Sequence, residues 1–213
     1  MLGRRRKPPV LATLAASPGG PPRVRKADFE AFEALLGELG ESRVAMVTGD
    51  AGDKSAVAIG IATTAVATGH RAVLVECDLA APALAEAIGL AVAPGLHEYL
   101  LGDADAPQIL QSAVLAGPKS KGAESPLVCV TAGRPAGDGA SLLTSEGFRH
   151  AISKLRNAYD LVVLDGPPLG GEEEALRTVA AESDTILACA RNSKPPRKPP
   201  VRIDGLVAIV ATT

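Results

Sequence analysis

The stretch that decides the fold runs from residue 44 to residue 82 and reads VAMVTGDAGDKSAVAIGIATTAVATGHRAVLVECDLAAP. Two apolar runs within it, residues 44–48 and 72–77, have the length and composition of buried strands. Between them lies an Ala-rich segment over residues 54–68, closed by Gly69, which predicts a helix. A strand, a helix and a second strand in this order are typical of a parallel sheet covered by helices.

The same alternation continues along the chain. Further strands are predicted at residues 127–131, 161–164, 185–190 and 205–210, and further helices at residues 27–40, 144–157 and 172–182, with short helical pieces over 83–116. We therefore predict an α/β fold with a doubly wound, mostly parallel sheet. In such sheets, ligands bind at the carboxyl ends of the strands.

Composition and charge divide the 213 residues into two regions. Residues 1–26 hold seven basic residues and no acidic one, and their Pro, Gly and Arg content predicts a disordered N-terminal arm. Residues 27–213, the predicted domain, keep 15 basic against 24 acidic residues, a net charge of −9. Such an acidic body argues against nucleic-acid binding. The basic arm is either a solvated tail or a contact for an anionic membrane or an acidic partner.

Cysteine and histidine spacing indicates no metal centre. The three cysteines form no C-x-x-C pair and lie in or beside apolar runs, which predicts small buried side chains in a reducing compartment. The histidines show no ligand spacing either. No apolar run reaches the roughly 18 residues of a membrane span, so we expect a cytoplasmic protein. The cysteines are Cys77, Cys129 and Cys189, and the histidines are His70, His97 and His150.

The first strand–helix junction reads TGDAGDKS over residues 48–55. In a Walker A loop, G-x-x-x-x-G-K-[ST], backbone N–H groups curl around phosphates, the lysine reaches the β- and γ-phosphates, and the hydroxyl binds Mg²⁺. Lys54 and Ser55 match this chemistry at the expected place. The glycines do not match, because Asp53 precedes the lysine and Thr48 stands where the motif begins with glycine. Asp50 and Asp53 also place negative charge where polyphosphate would lie.

Three carboxylates follow apolar strands. Glu76 and Asp78 come at the end of the second predicted strand, spaced so that both point to the same side. Asp165 follows the run Leu161–Leu164, as in the Walker B pattern, where the acid supports the metal. Such acids can also simply cap strands or helices. Their order together with Lys54 and Ser55 favours a nucleotide site.

This order of segments resembles the cytoplasmic kinase domain of the bacterial tyrosine kinases of capsule and exopolysaccharide synthesis, relatives of the ParA/MinD ATPases. Residues 44–90 resemble Walker A, a helix and Walker A′, and GLHEYLLGDADAPQIL at 95–110 resembles the helical insert of the family. Residues 128–168 resemble the stretch that leads into Walker B. The resemblance covers about residues 43–190, and it implies ATP and Mg²⁺ as cofactors.

The resemblance also implies roles for individual residues. Lys54 would contact the β- and γ-phosphates and act in catalysis with Glu76 and Asp78, one of which would orient or deprotonate an acceptor tyrosine. The implied Mg²⁺ ligands are Ser55, Asp78 and Asp165. The implied nucleotide-binding residues are Gly49, Asp50, Ala51, Gly52, Asp53, Lys54, Ser55, Ala56 and Arg191.

The chain departs from the family pattern in three places. Asp53 replaces the glycine before the lysine. The C-terminus lacks a tyrosine cluster, since Tyr99 and Tyr159 are the chain's two tyrosines. Four prolines within residues 191–200 exclude the expected last helix, so we expect the final strand to lie at an edge or to pair differently.

Three functions remain open from the sequence. The first is an ATP-binding, tyrosine-kinase-like protein of capsule or exopolysaccharide biosynthesis, with a membrane-bound polysaccharide co-polymerase or activator as partner, homo-oligomers, and a place at the inner face of the membrane. The second is a catalytically impaired pseudo-kinase that acts as a regulatory scaffold. The third is a localisation ATPase of the ParA/MinD type.

Overall fold

The computed structural model describes residues 10–14, 26–49, 54–114, 126–135, 137–191 and 206–212. The strands of this part are β1 (Val10–Leu14), β2 (Val44–Gly49), β3 (Ala72–Glu76), β4 (Gln111–Ala113), β5 (Leu127–Val130), β6 (Leu161–Asp165), β7 (Thr185–Arg191) and β8 (Leu206–Thr212). The helices are α1 (Lys26–Leu39), α2 (Lys54–Ala67), α3 (Leu84–Ile88), α4 (Leu96–Leu101), α5 (Ala106–Ile109), α6 (Gly139–Leu143), α7 (Glu146–Ala158) and α8 (Glu173–Ala181). None of these helices is both long and apolar enough to cross a membrane.

The eight described strands form one sheet in the order β1-β8-β7-β2-β6-β3-β5-β4. All neighbours in it are parallel except β4 and β5, which are antiparallel. The predicted doubly wound, mostly parallel sheet is therefore confirmed. Asp165 at the end of β6 pairs with Val47 of β2 on one side and with Glu76 of β3 on the other. The carboxyl ends of these three strands thus lie next to one another.

Helices cover both faces of the sheet because alternate strand residues point to opposite sides. One face carries Ala45, Val47, Leu74 and Val163, which pack with buried residues of α1 and α2. The opposite face packs with buried residues of α4 to α8, among them Phe148, and its strand residues are Val44, Met46, Val73 and Val162. Both layers are built mainly from aliphatic side chains.

The predicted helix over residues 144–157 corresponds to α7, which is separate from the short α6 that precedes it. Helix α6 ends at Leu143, and α7 begins at Glu146. Ser145 between them has an extended backbone, and its hydroxyl accepts a hydrogen bond from the Phe148 N–H at 3.3 Å. A serine N-cap of this kind satisfies a backbone donor that the helix leaves free, and it fixes the start of α7.

The two ends of the chain differ from the sequence-based prediction. Strand β1 (Val10–Leu14) lies in the arm that we expected to be disordered, and it pairs with β8. Because β8 lies between β7 and β1, the final strand does not lie at an edge, which was one of the two alternatives expected for it. The rest of the arm (1–9 and 15–25) and the proline-rich residues 192–200 lie outside the described residues, so those predictions remain untested.

Helices α1 and α2 pack through a glycine. A Cβ atom on Gly60 of α2 would lie 2.1 Å from Cζ of Phe32, whose ring is buried on α1. Gly60→Ala is therefore expected to lower the free energy of unfolding by about 1–3 kcal/mol through overpacking. In the matched control Gly37→Ala, the new methyl group meets no atom within 4 Å, and helix propensity should raise stability by about 0.5–1 kcal/mol. Urea denaturation measures both changes, and equal changes in the two variants would contradict the packing.

Candidate functional site

Lys54 is the centre of a buried charge cluster at the carboxyl ends of β2, β3 and β6. It is the first residue of α2, directly after the loop that follows β2, and it is 4% exposed. Its Nζ lies 3.0 Å from Oδ1 of Asp165 and 3.3 Å from Oδ2 of Asp78. The structure therefore brings together three of the predicted site residues, from α2, the end of β6 and the loop after β3.

Ser55 completes this cluster. Its hydroxyl donates to Oδ2 of Asp165 at 2.5 Å, while Lys54 donates to Oδ1 of the same carboxylate. Both oxygens of Asp165 are thus held by the two residues that the Walker A pattern singled out. Ala56, the next residue along α2, is exposed.

The electrostatics of the cluster keep Lys54 charged. Burial by itself would lower the pKa of the Lys54 ammonium, but the charges of Asp165 and Asp78 outweigh it and raise that pKa above its usual value. Burial raises the pKa of the Asp165 carboxyl, against the opposing effect of Lys54 and the Ser55 hydrogen bond. Lys54 therefore stays charged because of its carboxylate partners, while Lys54 and Ser55 favour the ionised form of Asp165 against its burial.

The two carboxylate oxygens of Asp78 make different contacts. One oxygen, Oδ1, accepts a hydrogen bond from the Ala81 N–H at 3.1 Å and so stabilises the turn after β3. The other oxygen, Oδ2, faces Lys54. The side chain is 8% exposed, so this orientation is set inside the protein.

Glu76 lies apart from this cluster in its hydrogen bonding. Oε1 accepts from the backbone N–H groups of Ala83 at 2.5 Å and Leu84 at 2.7 Å, and Oε2 accepts from the N–H of Ala132 at 2.9 Å. Burial raises the pKa of this carboxyl, although the three backbone donors oppose the rise. The structure thus places Glu76 at the expected strand end but turns its oxygens toward backbone amides.

The remaining predicted site residues are described in part. Gly49 ends β2 against Cys189, whose Cβ would lie 2.8 Å from a Cβ atom on Gly49, so no side chain fits there. Arg191 ends β7, the strand next to β2, and so its backbone lies at the same edge of the sheet. Residues 50–53 (Asp50, Ala51, Gly52 and Asp53) lie outside the described residues.

Sequence reasoning missed a further buried carboxylate at this edge, besides Glu76, Asp78 and Asp165. Glu98 of α4 accepts hydrogen bonds from the N–H of Gly95 at 2.8 Å and of Arg134 at 3.2 Å, and it thereby connects α4 to the loop after β5. The signal was the segment GLHE at 95–98, where a glutamate three residues after the N-cap can accept a hydrogen bond from the N-cap backbone N–H. The same loop carries Ala132, which donates to Glu76.

Comparison with known proteins shows which proteins share the fold of this chain. No protein-family model matches the chain. The kinase domain of the Escherichia coli tyrosine kinase Etk superposes with a TM-score of 0.78 at 18% identity, over 96% of this chain and 90% of that domain. The chain has the fold of the bacterial tyrosine-kinase domains. The resemblance that the sequence indicated is thereby confirmed for the fold.

Two further proteins are similar to this chain, one in sequence and one in structure. The succinoglycan biosynthesis transport protein ExoP of Rhizobium meliloti (strain 1021) is 30% identical over 165 residues, which are 76% of this chain. The chain spans 20% of the length of ExoP. The septum-site-determining protein MinD of Pyrococcus horikoshii, solved with Mg-ADP, has a TM-score of 0.53 at 17% identity, over 70% of this chain and 57% of MinD. The fold is thus shared with P-loop NTPases.

Proposed function

We propose that the chain is an ATP-binding, tyrosine-kinase-like domain of capsule or exopolysaccharide biosynthesis. The observation that carries this proposal is the buried Lys54, held by Asp165 and Asp78, with Ser55 on the same Asp165 carboxylate. The similarity to Etk in fold supports a kinase-like activity, and the similarity to ExoP in sequence supports a place in exopolysaccharide biosynthesis.

The residues of the cluster fit a nucleotide polyphosphate. Lys54 carries a full positive charge, which an anionic phosphate could share with the two carboxylates. Lys54 also begins the 14-residue helix α2, whose first-turn N–H groups have no partner within the helix. A helix N-terminus with a lysine in its first turn is suited to bind phosphate.

The same residues fit a Mg²⁺ ion that accompanies the nucleotide. Ser55, Asp78 and Asp165 offer only oxygen atoms, the donors that Mg²⁺ prefers, and two carboxylates are the usual protein share when phosphates supply further ligands. When bound, Mg²⁺ would neutralise negative charge on the phosphates. Among the described residues, no cluster of three or more His, Cys, Asp or Glu side chains could hold a metal by itself.

In the proposed reaction, the protein acts mainly by placing charges. Lys54 would hold the β- and γ-phosphates and stabilise the charge that develops on the transferred group. The phenol oxygen of an acceptor tyrosine would form a bond to the γ-phosphorus as the bond to the bridging oxygen of ADP breaks. Asp78 would accept the phenolic proton, since its Oδ2 already faces the lysine end of the site.

A second candidate function is a pseudo-kinase that binds partners without phosphoryl transfer. Asp50 and Asp53 in the phosphate loop favour this alternative, because two further negative charges would repel the polyphosphate. A ParA/MinD-type localisation ATPase has less support. Those relatives carry a signature lysine where this chain has Gly49, and Cys189 leaves no room there for a side chain.

The proposed partner is a membrane-bound polysaccharide co-polymerase or activator. ExoP is named as a transport protein of succinoglycan biosynthesis, and the matched region is a fifth of that protein. A basic arm of seven cations would hold the domain near the anionic inner face of a membrane. Cytoplasmic location and homo-oligomer formation belong to the same proposal.

Isothermal titration calorimetry with Mg·ATP and Mg·ADP tests the proposed function. We expect micromolar binding by the full chain and at least a tenfold loss of affinity in Lys54→Ala, because charge-assisted hydrogen bonds contribute about 1.5–3 kcal/mol. Arg177→Gln is the matched control, since it removes a cation on the exposed face of α8, where Arg177 pairs with Glu173. No binding at millimolar Mg·ATP by a folded protein would exclude the kinase and favour the pseudo-kinase.

A further inference from the structure

Glu76 holds three separate segments of the chain through one buried carboxylate. Glu76 is the last residue of β3 and is 1% exposed. Its oxygens accept from Ala83 and Leu84 at the start of α3 and from Ala132 after β5. The end of β3, the start of α3 and the loop after β5 are therefore fixed to one another.

The segment held in this way contains Asp78. The chain leaves β3 at Glu76, passes through Asp78 and returns at Ala83 to the same Glu76 carboxylate. Within this closed stretch, the Ala81 N–H donates to Oδ1 of Asp78 and leaves Oδ2 facing Lys54. The orientation of Asp78 thus depends on a turn whose two ends are both held by Glu76.

Glu76 itself is poorly placed for proton transfer. Both of its oxygens are engaged by buried backbone donors, and its exposed fraction is near zero. A general base needs an oxygen within hydrogen-bond reach of the proton that it removes. By contrast, Oδ2 of Asp78 contacts no backbone donor among the described residues but the side chain of Lys54, the residue proposed to hold the phosphates.

We propose that Glu76 is a positioning residue, which holds the turn over residues 78–83 so that Asp78 faces Lys54, and that it takes no proton from the acceptor. The longer side chain of glutamate suits this role, since it reaches backbone donors seven, eight and 56 residues further along the chain. The catalytic role of Asp78 rests on the proposed function, whereas its placement by Glu76 can be measured without any nucleotide.

A double-mutant cycle between Lys54 and Asp78 tests this placement. The unfolding equilibrium constant is measured in urea for Lys54→Met, Asp78→Asn and the double variant, first in the otherwise unchanged chain and then with Glu76→Gln. We expect a coupling of about tenfold in that constant in the unchanged chain. With Glu76→Gln it should fall below about twofold, because the amide nitrogen of glutamine cannot accept one of the three backbone hydrogen bonds.

Glu98→Gln is the matched control, since Glu98 is also a buried carboxylate that accepts backbone N–H groups at this edge of the sheet. It should lower stability but leave the coupling unchanged. Hydrogen exchange at the Ala81 amide gives a second measure in the single variant Glu76→Gln, where we expect at least tenfold faster exchange relative to the amides of β6. An unchanged coupling, or unchanged exchange at Ala81 in a folded Glu76→Gln variant, would overturn the proposal. Neither result depends on whether the chain binds Mg·ATP.

Discussion

Lys54→Met is expected to lower the free energy of unfolding by about 3–5 kcal/mol, the usual cost of removing one partner from a buried ion pair. The side chains of Lys54 and Asp165 are 6% and 1% exposed, so water cannot replace the lost ammonium at Asp165. Methionine keeps most of the aliphatic volume of lysine, which limits the contribution of a cavity. Urea denaturation at neutral pH measures the loss.

The loss in Lys54→Met should depend on pH in a defined direction. In the unchanged chain, the pKa of Lys54 is raised above its usual value, so its stabilising contribution is complete at neutral pH and is lost only as the pH rises through the raised value. In the variant, burial raises the pKa of Asp165 with no ammonium to oppose it. Protonation then relieves the unpaired charge, and the deficit should be smaller at about pH 5 than at about pH 7.

The double variant Lys54→Met/Asp165→Asn separates charge from packing. Asparagine keeps an oxygen that can accept the Ser55 hydroxyl but carries no charge. At neutral pH, we expect the double variant to recover at least half of the stability that Lys54→Met loses. A loss below about 1 kcal/mol in the single variant, or no recovery in the double variant, would contradict a tightly coupled buried cluster.

The contact of Lys54 with Asp165 and Asp78 could be predicted from the sequence because the fold dictates it. The apolar runs before Asp165 and Glu76 identify parallel strands, and residues that end adjacent parallel strands meet at one edge. The task of Glu76 could not be predicted in this way. Its partner Ala132 lies 56 residues further along the chain. The donor is a backbone N–H, which every residue except proline has, so the residue type does not indicate the contact.

The periphery of the sheet was harder to predict than its centre. The central strands β2, β3 and β6 are continuous aliphatic runs, which is the pattern of strands buried on both faces. Strand β1 is five residues within an arginine- and proline-rich arm, and its partner β8 lies almost 200 residues away. Local composition therefore predicted disorder there, and long-range pairing overrode it.

The charge balance at the phosphate site connects the proposed kinase with its alternative. Lys54 already faces two carboxylates before any phosphate arrives. Asp50 and Asp53 add two negative charges to the loop between β2 and α2. An approaching polyphosphate thus meets one lysine and several carboxylates. The affinity for the nucleotide therefore depends on how strongly Asp50 and Asp53 repel the phosphates.

Asp53→Gly is accordingly expected to raise the affinity for Mg·ATP by about tenfold or more. It removes one charge from the loop and restores the glycine that precedes the lysine in the Walker A pattern. A change of about 1.4 kcal/mol, which corresponds to tenfold, is a modest value for the repulsion between a carboxylate and a nearby phosphate. Calorimetry with Mg·ATP at low and high salt measures the gain, and screening should reduce its electrostatic part.

Asp53→Asn distinguishes the two causes of this gain, because it removes the charge without adding the conformational freedom of glycine. If repulsion dominates, Asn and Gly should raise the affinity to a similar extent. If the loop needs backbone angles that only glycine adopts easily, Gly alone should raise it. Neither gain should survive in a Lys54→Ala background, since the phosphate would then lack its buried cation. An affinity that stays unchanged or falls in both variants would show that Asp53 does not weaken a phosphate site, and the loop would then have another use.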